Sequence, residues 1–258
     1  MAISLINSFQ SEWLKKKHSA SSWLVITGGF FTPVIVLTAM LTDPEMAYYA
    51  SKSPKYWELI YNRCWPAMGM FLLPMGVILA TSLTAQLEFK NNTWKQTHTT
   101  PQTLTTVFFA KLMVIIVMML QFFILFNIGC YLCGIFPSVL LNAISYPVEP
   151  IPFFKFFKGN LKFFIDSLPI IALQYLVSLQ FKNFLVPVGV GLGLFVASMV
   201  ALSWKYGYLI PYTYCALNFK DNGYAVDKTI NFHLMAIIYF VLVTIVSYIL
   251  YLTKKEKG

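Results

Sequence analysis

Long apolar runs, each bounded by polar or basic residues, recur along the whole chain and restrict its fold more than any other feature. A hydrocarbon core about 30 Å thick admits only backbone that satisfies its own polar groups, and a helix needs about 20 apolar residues to cross it. Six runs suit that requirement: Ser22–Thr42, Cys64–Ala85, Thr106–Cys133, Phe163–Gln180, Phe184–Trp204 and Phe232–Leu252. The third is the longest, with room for tilt, and the fourth is interrupted by Asp166, Pro169 and Gln174. Only 11% of residues are charged and 58% are hydrophobic. A globule in water carries about 25% charged residues, so a soluble fold is excluded. The prediction is an all-α polytopic membrane protein, six transmembrane helices in one domain over residues 1–258.

The net charge of +9 does not make this a nucleic-acid protein, because eighteen of the nineteen basic residues are lysines scattered between apolar runs. No basic stripe is available to follow phosphates. The lysines instead bear on topology. With the N-terminus inside, Lys15, Lys16, Lys17, Lys90, Lys95, Lys182, Lys254, Lys255 and Lys257 cluster in the shorter, inner segments. An equal number of basic residues is spread over longer outer ones, which favours cytoplasmic termini in a plasma membrane, bacterial by class. Before the first run, Ile6, Phe9 and Trp13 share one helical face and Lys15 lies off it, so residues 1–21 read as an amphipathic helix in the interface plane, touching membrane lipid. Pro137 to Lys162, with Pro147, Pro150 and Pro152, reads as an outer segment without a long regular helix. Residues 205–231 hold five tyrosines and are too apolar for a free loop, which suits a re-entrant or interfacial segment.

Catalytic patterns are absent from the sequence. There is no G-x-x-x-x-G-K-[ST], no H-E-x-x-H and no G-x-S-x-G, and His18, His98 and His233 are far apart, so no nucleotide, metal or nucleophile site is expected in this chain. Gly189, Gly191 and Gly193 have no preceding strand and read as close helix packing. Cys64, Cys130, Cys133 and Cys215 read as small apolar packing residues. Lys111, near the start of the third run, has a stem long enough to reach the headgroups. Asp166 is the one acidic residue inside a run, near the outer end of the fourth. A charge at the bilayer centre costs at least about 2.5–3.5 kcal/mol on insertion scales, so it marks a candidate intramembrane polar site, or an interfacial pair with Lys162 one turn away.

The stretch 86–102 is polar and short, yet it contains aromatic residues that a solvated loop has little reason to carry. It includes Glu88, Phe89, Lys90, Thr93, Trp94 and Lys95, runs on to Thr100-Pro101, and is followed by Ala110-Lys111. It reads as a docking element. With Glu12-Trp13-Leu14-Lys15 before the first run, this pattern resembles type 2 ABC exporter permeases, especially the small six-span subunits of lantibiotic-immunity and antibiotic-peptide export systems. In that family an acidic residue after the second span opens a short coupling helix, and Asn91 and Asn92 stand where many relatives carry glycine.

The resemblance implies a permease without its own motor. It would pair with a second permease chain, as homodimer or heterodimer, and be driven by cytoplasmic ABC ATPase subunits that bind the ATP and Mg and receive the Glu88–Lys95 segment. The implied cargo is an amphipathic peptide, a lantibiotic or a related small antibiotic. A membrane sensor or assembly subunit, and less so an intramembrane enzyme, are the competing classes.

Overall fold

The computed structural model describes residues 2–17, 19–90, 103–141, 144, 146–147, 149–219 and 230–253, and every regular element among them is helical. In chain order these are α1 (Ala2–Lys16), α2 (Ala20–Thr42), α3 (Pro44–Ser51) and α4 (Tyr56–Ala67), then a π-helical turn (Met68–Leu72) that leads into α5 (Leu73–Lys90). There follow α6 (Leu104–Leu140), α7 (Phe153–Gln180), α8 (Leu185–Ala201), two 3₁₀ turns (Gly207–Leu209 and Pro211–Thr213), α9 (Tyr214–Leu217) and α10 (Phe232–Thr253). Five helical stretches are long and apolar enough to cross a membrane: α2, Tyr56–Leu87, α6, α7 and α10. The fifth run forms α8, at 17 residues shorter than the others.

The first two helices are separate. Ser19 is extended (φ −78°, ψ 162°), and Ser22 Oγ donates to the Lys16 carbonyl at 2.9 Å, so a hydroxyl serves a carbonyl left open where α1 ends. Later, Thr103 caps α6, its hydroxyl accepting from the Thr106 amide at 3.3 Å.

Two prolines behave differently from the sequence expectation. Pro152 immediately precedes α7, and residues 153–162, expected to lie in an irregular segment, form the first turns of that helix. A proline at a helix start loses no hydrogen bond, because the first amides have no intrahelical partner. Pro137 lies within α6, which continues to Leu140. Between Pro66 and Pro74 the ladder slips, and Leu73 N–H reaches back to Met68 O, five residues away. Each proline removes one amide donor, and a π-turn re-pairs what remains.

α6 is the central element. It packs against α1, α2, α4, α5, α7 and α10, which leaves little of its surface for lipid. Lys111 is accordingly buried at 2% exposure, where the sequence suggested a side chain stretched to the headgroups. On one side α2 approaches through small residues: a Cβ on Gly29 would lie 2.9 Å from Leu125 Cβ and 3.2 Å from the Phe122 carbonyl, and one on Gly129 would meet Pro33 at 2.8 Å. On the other side an aromatic and amide network holds α4. Tyr56 donates to Gly134 O at 2.7 Å, and Tyr61 to Asn127 Oδ1 at 2.9 Å. Asn160 of α7 donates to the same Asn127 oxygen at 2.8 Å and accepts from Trp65 Nε1 at 3.1 Å. α10 packs on α7 and turns Ile237, Val241, Leu242, Ile245 and Ile249 outward, an apolar face suited to lipid.

Gly29→Ala is expected to destabilise the fold by about 1–3 kcal/mol, since the backbone carbonyl of Phe122 cannot move aside for the methyl group. Gly189→Ala, with nothing within 4 Å of its Cβ, is expected to be neutral or stabilising by up to about 1 kcal/mol through helix propensity. Unfolding of both variants in mixed micelles tests the contrast, and equal effects would contradict this packing.

Candidate functional site

The expected docking element begins where α5 ends. Glu88, Phe89 and Lys90 have helical backbone in its last turn, and their side chains, together with Thr93, Trp94 and Lys95, lie outside the described residues. The segment joins the end of α5 to the start of α6.

At the other predicted contact surface, α1 lays Phe9 and Trp13 against the core, their rings stacked at 5.9 Å, while Ile6 stays exposed. Lys15 pairs with Glu12. Lys16, which the sequence grouped with its neighbours as a surface charge, is buried: its ammonium stands 3.6 Å from the centre of the Trp13 ring and 3.4 Å from Gln121 Oε1 of α6. Burial lowers its pKa to about 8, and the cation–π and amide contacts help to keep a charge there. These contacts fasten the end of α1 to the middle of α6.

Asp166 is fully buried, and because α7 starts ten residues before the apolar run does, it lies halfway along the helix, not near its outer end. Lys162 is exposed. The carboxylate is engaged instead by His233 Nδ1 at 2.7 Å from Oδ1 and by Asn218 Nδ2, which donates to Oδ2 at 2.6 Å. One side chain thereby ties α7 to the first turn of α10 and to the end of α9. The sequence reading missed this constellation because His233 and Asn218 are 67 and 52 positions away, with no fixed spacing to betray them.

A second polar centre, two turns further along α7, was also missed. Gln174 donates from Nε2 to Ser82 Oγ of α5 and to the Pro187 carbonyl of α8, both at 2.8 Å, and Tyr212 Oη lies 3.4 Å from its Oε1. A Cβ on Gly191 would come within 2.5 Å of that oxygen. Of the three glycines read as packing residues, Gly191 is in close contact, while Gly189 and Gly193 face open space.

The chain between α8 and α10 follows from these two anchors. α8 starts beside Gln174 and runs 17 residues away; the chain then folds back so that Tyr212 returns to Gln174, and α9 brings Asn218 to Asp166. This excursion is buried at Tyr212, Thr213, Tyr214, Cys215, Ala216 and Leu217. Its irregular backbone is served by side chains: Thr213 Oγ1 bonds the carbonyls of Gly207 and Ile210 at 3.0 and 2.7 Å, and Tyr239 donates to Leu209 O at 3.1 Å. Such backbone is tolerated at membrane depth only where protein surrounds it.

Asp166→Ala should cost about 3–5 kcal/mol, because it strands a buried imidazole and amide. Adding His233→Leu should recover part of that loss, giving a coupling of about 0.5–3 kcal/mol in a double-mutant cycle on unfolding in mixed micelles. Strict additivity would show that the two side chains do not interact.

The family described as ABC-2 family transporter protein matches residues 8–198, from the first helix to the end of α8. No curated protein matches the chain. The match takes in the whole polar segment between α5 and α6, both ends of the Gln174 contact on α5 and α8, and most of the helices long enough to span a bilayer. The chain therefore belongs to the ABC-2 transporter family: it is a multi-pass membrane permease subunit of an ABC transporter, a class that works with a separate ABC ATPase subunit.

Proposed function

We propose that the protein is the permease of an ATP-driven exporter, paired with a second permease chain around a central pathway and moved by ATPase subunits that grip the Glu88–Lys95 segment. The observation that carries this reading is the family match across residues 8–198, which spans the segment's position between two long apolar helices. Phe89 and Trp94 are five residues apart, about 140° around a helix, so one can anchor to the permease while the other meets the ATPase. Glu88 near the start of the coupling helix would favour its dipole and offer a partner for a basic residue.

In this reading α8 and the buried turns after it complete a sixth crossing, residues 205–231 form a re-entrant segment on the outer side, and both termini face the cytoplasm of a bacterial cell. The lysine distribution supports that orientation. α1 then lies along the cytoplasmic interface, which agrees with its separation from α2 at Ser19 and with the lysines at its end. The cargo we propose is an amphipathic peptide of the lantibiotic or related antibiotic class, supported by the likeness of the Glu88–Pro101 pattern to peptide-export subunits. ATP and Mg act in the partner, and this chain contributes the pathway and the coupling surface.

ATP binding must favour one permease arrangement over another, or hydrolysis does no work on cargo. Glu88→Ala/Trp94→Ala is therefore expected to lower protection of cells against an amphipathic peptide antibiotic at least severalfold while the permease still inserts. Full protection by the double variant, co-expressed with its ATPase, would remove the coupling role. Single cysteines at positions 95 and 220 are expected to react with an impermeant maleimide from opposite faces, the first from inside. Reaction of both from one face would overturn the topology.

A further inference from the structure

The π-turn divides the Tyr56–Lys90 stretch into two unequally held parts. Above it, α4 is pinned to α6 and α7 by Tyr56, Tyr61 and Trp65. Below it, α5 runs to the Glu88 segment, and its hydrogen-bonded link to the rest of the bundle is at Ser82, six residues or about 9 Å before Glu88. A displacement of the α5 end can be absorbed at the Met68–Leu72 turn, where the ladder has already slipped, so the pinned outer part need not follow. What does follow is decided by what Ser82 holds.

Ser82 holds Gln174. That amide is completely buried and has two donors and two acceptor sites; both donors are used, one on α5 and one on α8, and the oxygen faces Tyr212 in the turn that folds back from α8. Ser178, one turn on along α7, adds a 3.5 Å contact to the same Ser82 hydroxyl. Gly191 brings α8 so close that no methyl group fits between it and the amide, and Ile78 of α5 stands 2.7 Å from the same absent methyl. Four elements thus meet at one side chain, and in an apolar interior a hydrogen bond there is either made or lost at full desolvation cost. Sliding α5 past α7 would strand a buried N–H, so Gln174, α8 and the Pro211–Thr213 turn move with it or the contact breaks to a second discrete arrangement.

We propose that Gln174 is the positioning residue that carries a shift of α5, imposed at the coupling segment, to α8 and to the folded-back turn at Tyr212. The proposal rests on the permease reading above. It assigns Gln174 no contact with cargo or nucleotide: the residue acts through Ser82 on one side and through Pro187 and Tyr212 on the other. The Asp166–His233–Asn218 cluster holds the far end of the same turn, so a change at Tyr212 is confined to the stretch between α8 and Asn218.

The test uses the permease co-purified with its co-expressed ATPase in vesicles of phosphatidylcholine and phosphatidylglycerol. A Lys205→Cys reporter sits in the exposed turn after α8. The native cysteines are buried, and their background is measured without the reporter. Maleimide reaction rates are compared without nucleotide and with Mg-ATP and vanadate. The expected rate ratio is about fivefold or more with the native residue and less than twofold in Gln174→Leu, with ATPase binding retained and hydrolysis within twofold. Ser82→Ala should reduce the ratio on its own and add nothing in the Gln174→Leu background. A Gln174→Leu protein that keeps the full ratio overturns the proposal, as does a native protein whose ratio is near one. Should Gln174→Leu fail to assemble, Ser82→Ala, which deletes a single hydroxyl, takes its place, and an unchanged ratio there overturns the proposal equally. Absence of any ATPase from the native preparation would instead overturn the permease reading, and this inference with it.

Discussion

In hydrocarbon, a backbone amide or carbonyl without a partner costs several kcal/mol, and everything else in this fold is arranged around that constraint. It explains why the regular elements are helices and why departures from helix are chaperoned by side chains. Ser22 Oγ serves the end of α1, Thr103 caps α6, and Thr213 and Tyr239 serve the carbonyls of the turns after α8. The proline-flanked π-turn is the same constraint met within a helix, by a shift of pairing register.

Once backbone pairing is secured, burial in an apolar solvent gives little reason for one helix arrangement over another, because lipid tails are as apolar as leucine. Specificity here comes from close glycine contacts and from three buried polar clusters. Asn127 and Asn160 join α6 to α7 and receive Tyr61 and Trp65 from α4. Asp166 joins α7 to α10 and α9, and Gln174 joins it to α5 and α8. All three clusters use α7, the least hydrophobic of the membrane-length helices, and its polar residues, which weaken it as an isolated span, are those that select its neighbours.

The division of the Tyr56–Lys90 stretch gives the molecule a mechanical asymmetry. Its outer part is bound by aromatic hydrogen bonds and by the Tyr61–Phe156 stack, with centroids 3.6 Å apart. Its inner part leads to the polar segment through one hydrogen-bonded link at Ser82. For a permease subunit worked by a separate ATPase, a stiff outer frame with a single polar contact on the moving side converts a push at one end into a defined rearrangement.

Length and hydropathy alone were enough to read from the sequence that the chain is helical and crosses a membrane, and where α2, α6 and α10 lie, since each is an uninterrupted apolar run. The separation of α1 was legible from its changed periodicity, and the docking segment from aromatic residues in a polar stretch. Helix ends were not legible where proline was involved: Phe153–Lys162 looked irregular because a proline at a helix start and one at a break are the same letter. Asp166 was legible as an unusual residue, because a lone carboxylate in an apolar run is costly wherever it sits. Its partners, and the whole Gln174 contact, were decided only by tertiary structure. A buried polar group must be satisfied by whatever side chain the packing brings within 3 Å, and for His233, Asn218, Ser82 and Tyr212 that proximity comes from how the helices stack, which no local spacing encodes.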